Sequence, residues 1–220
     1  MKRQHTTESL TIAALLSLSG GLQDIYTYLY RGNVFANAQT GNIVLMSYHL
    51  SSGQWQHSLR YLMPVCFFAM GIAATDLLAH FYLSQQKLKW EIRVLYLEII
   101  LLALVGFMPV QLNFLANALV SFSCAMQVQT FRKVRGNSYA STMCIGDLRA
   151  AMSFLCSYGL HKEKEDLHRA FIYFSVIACF AVGASLGAIA LPYLAGKTIW
   201  LSSFLLALAV CLLTSEVEKN

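Results

Sequence analysis

Charge is scarce in this chain: Asp, Glu, Lys and Arg together make up 12% of its 220 residues. A soluble domain carries about twice that share, so an ordinary globular protein is excluded. Catalytic signatures are missing too. No His-Glu-x-x-His or P-loop spacing occurs, and an enzyme is not expected. The six histidines, His5, His49, His57, His80, His161 and His168, lack metal-ligand spacing. His49 with His57 and His161 with His168 fall in two loop pairs without a carboxylate partner, so neither metal nor cofactor is expected. Cys66, Cys124, Cys144, Cys156, Cys179 and Cys211 contain no Cys-x-x-Cys pair and read as small buried side chains.

Apolar residues, by contrast, make up 57% of the chain, and the mean hydropathy is +0.54. Crossing ~30 Å of hydrocarbon takes about 20 helical residues. Six stretches meet that length: Leu10 to Tyr30, Tyr61 to Leu83, Val94 to Val110, Leu112 to Phe131, Phe171 to Leu191 and Thr198 to Ser215. The expectation is an all-α polytopic membrane protein, a single integral membrane domain over residues 1–220 with the lipid bilayer as its surroundings. Lys2 and Arg3 followed by Ile12 to Leu18 imitate a cleavable signal. The same pattern recurs inside the chain at Leu119 to Gln127, so the first copy is read as a retained helix.

That recurrence is one part of a longer duplication. Ser17-Leu-Ser-Gly-Gly-Leu-Gln23 returns as Ser121-Phe-Ser-Cys-Ala-Met-Gln127, and Arg31-Gly-Asn33 as Arg135-Gly-Asn137, both at an offset of 104. Phe35-Ala36 then matches Tyr139-Ala140, and after one inserted residue Gly41-Asn42 stands opposite Gly146-Asp147. Phe68-Ala-Met-Gly71 echoes Phe180-Ala-Val-Gly183 at an offset of 112. The chain therefore divides into related halves of about 10–110 and 112–215. The spacings Gly71-x-x-x-Thr75 and Gly183-x-x-x-Gly187 suit close helix packing, an architectural role. In membrane proteins such halves commonly leave a binding site at their seam.

Two moderately apolar segments, Val34 to Leu50 and Tyr139 to Tyr158, either cross the membrane or dip into it. Lys and Arg near span ends favour the cytoplasm, and this decides between the readings. With six spans and both termini cytoplasmic, only Arg31, Arg60 and Lys197 of the 16 basic residues lie outside. With eight spans the asymmetry disappears. Six spans are therefore expected, with both odd segments re-entrant, interfacial or loop-like, and the three-span halves are inverted because three is odd. The net charge of +5 belongs to cytoplasmic loops and requires no nucleic acid.

Gly20-Gly-Leu-Gln-Asp24, then Asn33-Val-Phe35 and Thr40-Gly-Asn42, resembles the YoaK-type family of small bacterial inner-membrane proteins of unknown function. The resemblance spans essentially the whole chain. It implies a multi-pass protein of the bacterial inner membrane and supplies no reaction. The second copy departs from the pattern, with Ile145-Gly146-Asp147 in place of the Thr-Gly-Asn triplet.

Carboxylates within apolar stretches cost several kcal/mol unless paired or hydrated, which makes each a functional candidate. Asp24 leads, beside the small residues Ser17, Ser19, Gly20 and Gly21; its alternative is a pair with Arg31. Asp76 is expected to bond a neighbouring helix, and Glu98 to pair with Arg93 near the cytoplasmic face. The leading reading is a small-solute transporter or channel-like permease. Gln23, Asp24, Asn33, Asn37, Thr40, Gly41 and Asn42 would line one half of its site, and Gln127, Asn137, Ser141, Gly146 and Asp147 the other, with Asp24 or Asp147 binding a cation or coupling proton. The competing reading is a non-transporting scaffold or sensor that binds another membrane protein. Six short helices also suit a homodimer.

Overall fold

The computed structural model describes residues 8–82 and 87–217. Leu83, the terminal basic residues Lys2, Arg3 and Lys219, and the side chains of Lys87 and Lys89 lie outside what is described. The architecture is all-α. Its helices are α1 (Leu10–Tyr30), α2 (Gln39–Ser51), α3 (Trp55–Tyr82), α4 (Lys87–Phe107), α5 (Asn113–Thr130), α6 (Cys144–His161), α7 (Lys164–Leu194) and α8 (Ile199–Val217). A two-stranded antiparallel hairpin, β1 (Lys133–Val134) and β2 (Asn137–Ser138), joins α5 to the segment before α6. Each of the six long apolar stretches became a helix. The odd segments became the shorter α2 and α6, each preceded by irregular chain.

Local chemistry sets several boundaries. Ser9 caps α1 by accepting the Ile12 amide. After α1 the chain turns through Gly32 (φ +96°) and Asn33 (φ +59°), and after α5 through Arg135 (φ +47°) and Gly136 (φ +79°). Glycine suits such a conformation, and the glycine of Arg-Gly-Asn is left-handed in both copies.

Helix α1 packs along α7, and α3 along α5; α4, α5, α1 and α8 surround the main core, while α2 lies on α3 and α6 on α7. Contacts fix the directions. Leu18 meets Gly183 and Tyr30 meets Gly196, so α1 and α7 run parallel. Gly71 meets Phe122 and Asp76 meets Arg132, so α3 and α5 run parallel. Gly106 at the end of α4 meets Trp200 at the start of α8, which makes that pair antiparallel. In sum α1, α4 and α7 run one way, and α3, α5 and α8 the other.

Glycine permits the two closest crossings. A Cβ on Gly183 would collide with the Leu18 carbonyl, and one on Gly71 would lie 2.5 Å from the Phe122 carbonyl oxygen. Leu18 and Phe122 are themselves separated by the 104-residue offset. The helix exterior is apolar, with Val44, Phe81, Phe107, Ile189 and Tyr193 among many large exposed side chains. Among the described residues, the helical stretches Trp55–Phe81 and Lys164–Ser215 are long and apolar enough to cross a membrane.

Candidate functional site: two loop tips meeting beside Gly20

Beyond Arg31 the chain does not leave the end of α1; it folds back along it. The Asn37 amide donates to Asp24 Oδ1 at 2.7 Å, and Asn37 Nδ2 donates to the Gly20 carbonyl at 3.3 Å. Gly20 lies ten residues before Tyr30, about 15 Å back along the helix. Helix α2 therefore begins midway along α1 and returns to the end where α1 finishes. Asn42, fully buried, pins this tip: its amide oxygen accepts from Phe35 N at 3.1 Å, and its Nδ2 donates to Phe35 O at 2.7 Å and Gln39 Oε1 at 2.9 Å.

The second half repeats the manoeuvre from the opposite end. After the β-hairpin, Ser141 returns to accept from Gln127 Nε2 at 2.9 Å, and the Thr142 methyl presses on Gly20. Asp147, the counterpart of Asn42, accepts from the backbone of Ala140, next to Tyr139, the counterpart of Phe35. Its second carboxylate oxygen has no partner. The lost hydroxyl and gained charge of Ile145-Gly146-Asp147 thus serve the same local fastening as the first triplet, with a carboxylate in place of an amide.

The two tips border one cleft of about 670 Å³. Its polar lining comes from Asp24, Asn37, Gln39, Thr40, Thr142 and Cys144. Phe35, Phe68, Ile72 and Phe180 supply apolar wall. Phe68 and Phe180 occupy equivalent places in the two halves. Neither α2 nor α6 has a side-chain N-cap; local backbone carbonyls take up the Gln39, Gly41, Gly146 and Asp147 amides instead. Two buried polar atoms on the cleft-lining residues have no partner: Asn37 Oδ1 and Thr142 Oγ1, on residues 4% and 6% exposed.

A separate polar cluster lies behind the cleft. Gln23 Nε2 donates to Ser19 Oγ and Ser202 Oγ, each at 2.9 Å, and to Glu98 Oε1 at 3.1 Å, while Cys124 Sγ donates to Gln23 Oε1. Glu98 is 1% exposed and its second oxygen is unpartnered. The expected interfacial pair with Arg93 is not its contact; it sits among α1, α5 and α8. At the end of α1, Arg31 is also buried. It donates to the carbonyls of Val105 (2.8 Å), Met108 (2.9 Å) and Pro109 (3.3 Å), to Asn113 Oδ1 and to Tyr26 OH. The alternative Asp24–Arg31 pair does not form. Arg31 instead answers the unpaired carbonyls that end α4.

Of the residues singled out from sequence, Asp24, Asn37 and Thr40 line the cleft. Gly41 lies under the Phe35 ring, while Asn42, Ser141 and Asp147 fasten the tips. Gln23 and Gln127 stand behind them in the helix core. Asn33 and Asn137 occupy the turns at opposite ends of the bundle, away from the cleft, because the Arg-Gly-Asn repeat marks chain reversal. A Cβ on Gly146 would meet nothing within 4 Å. Asp76 bonds its neighbour α5 through Gln129 (2.6 Å) and Arg132 (3.0 Å). Thr142 and the paired phenylalanines were not anticipated as site residues; the Phe68/Phe180 repeat was the available signal for the latter.

Residues 12–212 match a family described as "Protein of unknown function (DUF1275)", and the chain belongs to that family. No curated protein and no solved structure matches it significantly.

Proposed function

We propose that this member of the DUF1275 family is an integral protein of the bacterial inner membrane, and that it is a small-solute transporter or channel-like permease whose site is the cleft between the two loop tips. In this reading α1, α3, α4, α5, α7 and α8 are the six spans, and α2 and α6 are re-entrant, entering from opposite faces. The halves are inverted repeats. Exchanging α1 with α5, α2 with α6, α3 with α7 and α4 with α8 returns the same packing pairs and reverses every helix direction. Both termini are cytoplasmic, the side that holds Arg132, Arg135 and Arg169, while Arg31, Arg60 and Lys197 gather at the other end.

The observation that carries the reading is the meeting of two irregular tips midway along α1. Non-helical backbone at that depth is tolerated where protein or water satisfies it, and it commonly lines a solute path. Unpartnered Asn37 Oδ1 and Thr142 Oγ1 give a solute something to bond.

The first test uses single cysteines at Asn33 and Asn137 in a cysteine-free background, with a membrane-impermeant thiol reagent. Labelling of Asn33 only from outside and Asn137 only from inside is expected. Labelling of both from one face overturns the inverted arrangement. Proteoliposome flux across a solute panel is the second test; no flux for any solute, with a stable co-purifying membrane partner, would replace transport by scaffolding.

A further inference from the structure

The chemistry lining the cleft selects a class of solute. Asp24 is its only carboxylate, and no Lys, Arg or His is among the lining residues. The Asn37 amide already donates to Asp24 Oδ1, and the backbone of Ala36 and Ala38 also turns toward the carboxylate. These amides stabilise a negative charge there without cancelling it, because a helix N-terminus supplies about half a positive charge. The equivalent of Asp24 in α5 is Val128, so the second tip has no acid in that place. Asp147 lies in the first turn of α6 and offsets that helix end from behind.

Hydrogen-bonding capacity points the same way. Asn37 Oδ1 is an acceptor with no donor, Thr142 Oγ1 can accept, and the Asp24 carboxylate accepts. Asn37 through its Nδ2 and Thr142 through its methyl both pack on Gly20, and Asp24 follows one turn later, so the three residues gather around one turn of α1. Gln39 is not available to a ligand in the same way: its Nε2 donates to Ala36 O at 2.7 Å and its Oε1 accepts from Asn42. Three clustered acceptors match the three donors of a primary ammonium group. The rings of Phe35, Phe68 and Phe180 present apolar faces that also attract cations.

We infer that the cleft binds a small amphipathic primary amine, its ammonium held by Asp24, Asn37 and Thr142 and its apolar body lying against the phenylalanines. This deepens the transport reading and rests on it for the site's purpose.

The test is equilibrium binding to the purified full chain in detergent, using phenethylamine, 2-phenylethanol and 3-phenylpropionate. Phenethylamine is expected to bind at least about tenfold more tightly than the alcohol, the acid most weakly. Asp24→Asn, which retains an acceptor for the Asn37 amide, removes that preference. Thr142→Val, which retains shape, weakens amine binding severalfold; it serves if Asp24→Asn does not fold. Equal binding of amine and alcohol, tighter binding of the acid, or an unchanged amine preference in both variants overturns the inference. Proteoliposome uptake separates it from the transport reading. Amine binding without flux of any solute overturns transport and leaves the site, while flux of another solute without amine binding does the reverse.

Discussion

Replacing Gly183 by alanine should separate α1 from α7. The added Cβ would overlap the Leu18 carbonyl oxygen and come within 2.8 Å of Leu18 Cα and 2.7 Å of its carbonyl carbon. The obstruction is backbone, which has no rotamer by which to yield. Restoring ordinary contact requires the helices to part by about 1 Å, and a gap of that size forfeits between roughly a quarter and a half of the dispersion attraction of the atoms concerned. Helix association in lipid depends on such packing. A loss of about 3 kcal/mol is expected, at the upper end for overpacking. The measurement is reversible unfolding in mixed micelles, with Gly159→Ala as control, since a Cβ there meets nothing. The control should be neutral or stabilising by up to about 1 kcal/mol. Gly21→Ala meets the Phe180 carbonyl across the same crossing, so the Gly21/Gly183 double variant should lose clearly less than the sum of the singles. A Gly183→Ala protein within about 0.5 kcal/mol of wild type, or strictly additive losses, would refute the close crossing.

Arg31→Gln leaves the carbonyls ending α4 short of donors and should cost about 3–5 kcal/mol, with partial recovery in Arg31→Lys; undiminished unfolding stability would show that the arginine is dispensable. Asn42→Ala removes both bonds to Phe35 and should lower stability by about 2 kcal/mol. Asn42→Asp, which retains the acceptor as Asp147 does, should lose less, and the reverse order in thermal melts would contradict the fastening role. For Asp76 and Arg132, whose side chains are each 58% exposed, a double-mutant cycle should give a coupling below about 1 kcal/mol that fades with salt; a larger value would mean the pair is shielded.

The helices were legible because each long apolar run has only one way to satisfy its backbone in hydrocarbon. Leu10 to Tyr30 even coincides with α1 in both boundaries. The tip residues were partly legible: Thr40-Gly-Asn42 stood out, yet Asn42 is a fastener and Asn37, outside that triplet, carries the unpartnered acceptor. Such a division of labour depends on where the loop folds back, which spacing does not encode. Arg31 illustrates the same limit. Its partners are carbonyls 74 and 77 residues away, and backbone acceptors leave no mark on composition. Glu98 was misplaced because proximity to Arg93 in sequence says nothing about which helix face turns inward.

The pairing of α1 with α7 also has a meaning for synthesis. Gly21 enters the membrane about 160 residues before its partner Phe180 has been made, and at roughly 5–20 residues per second that interval is on the order of 10–30 s. Throughout it the first helix presents a bare glycine face with no mate from its own half, since α7 belongs to the other. On the proposed reading the α1–α7 contact forms only once the second half has been made, and a product that ends after α5 lacks it.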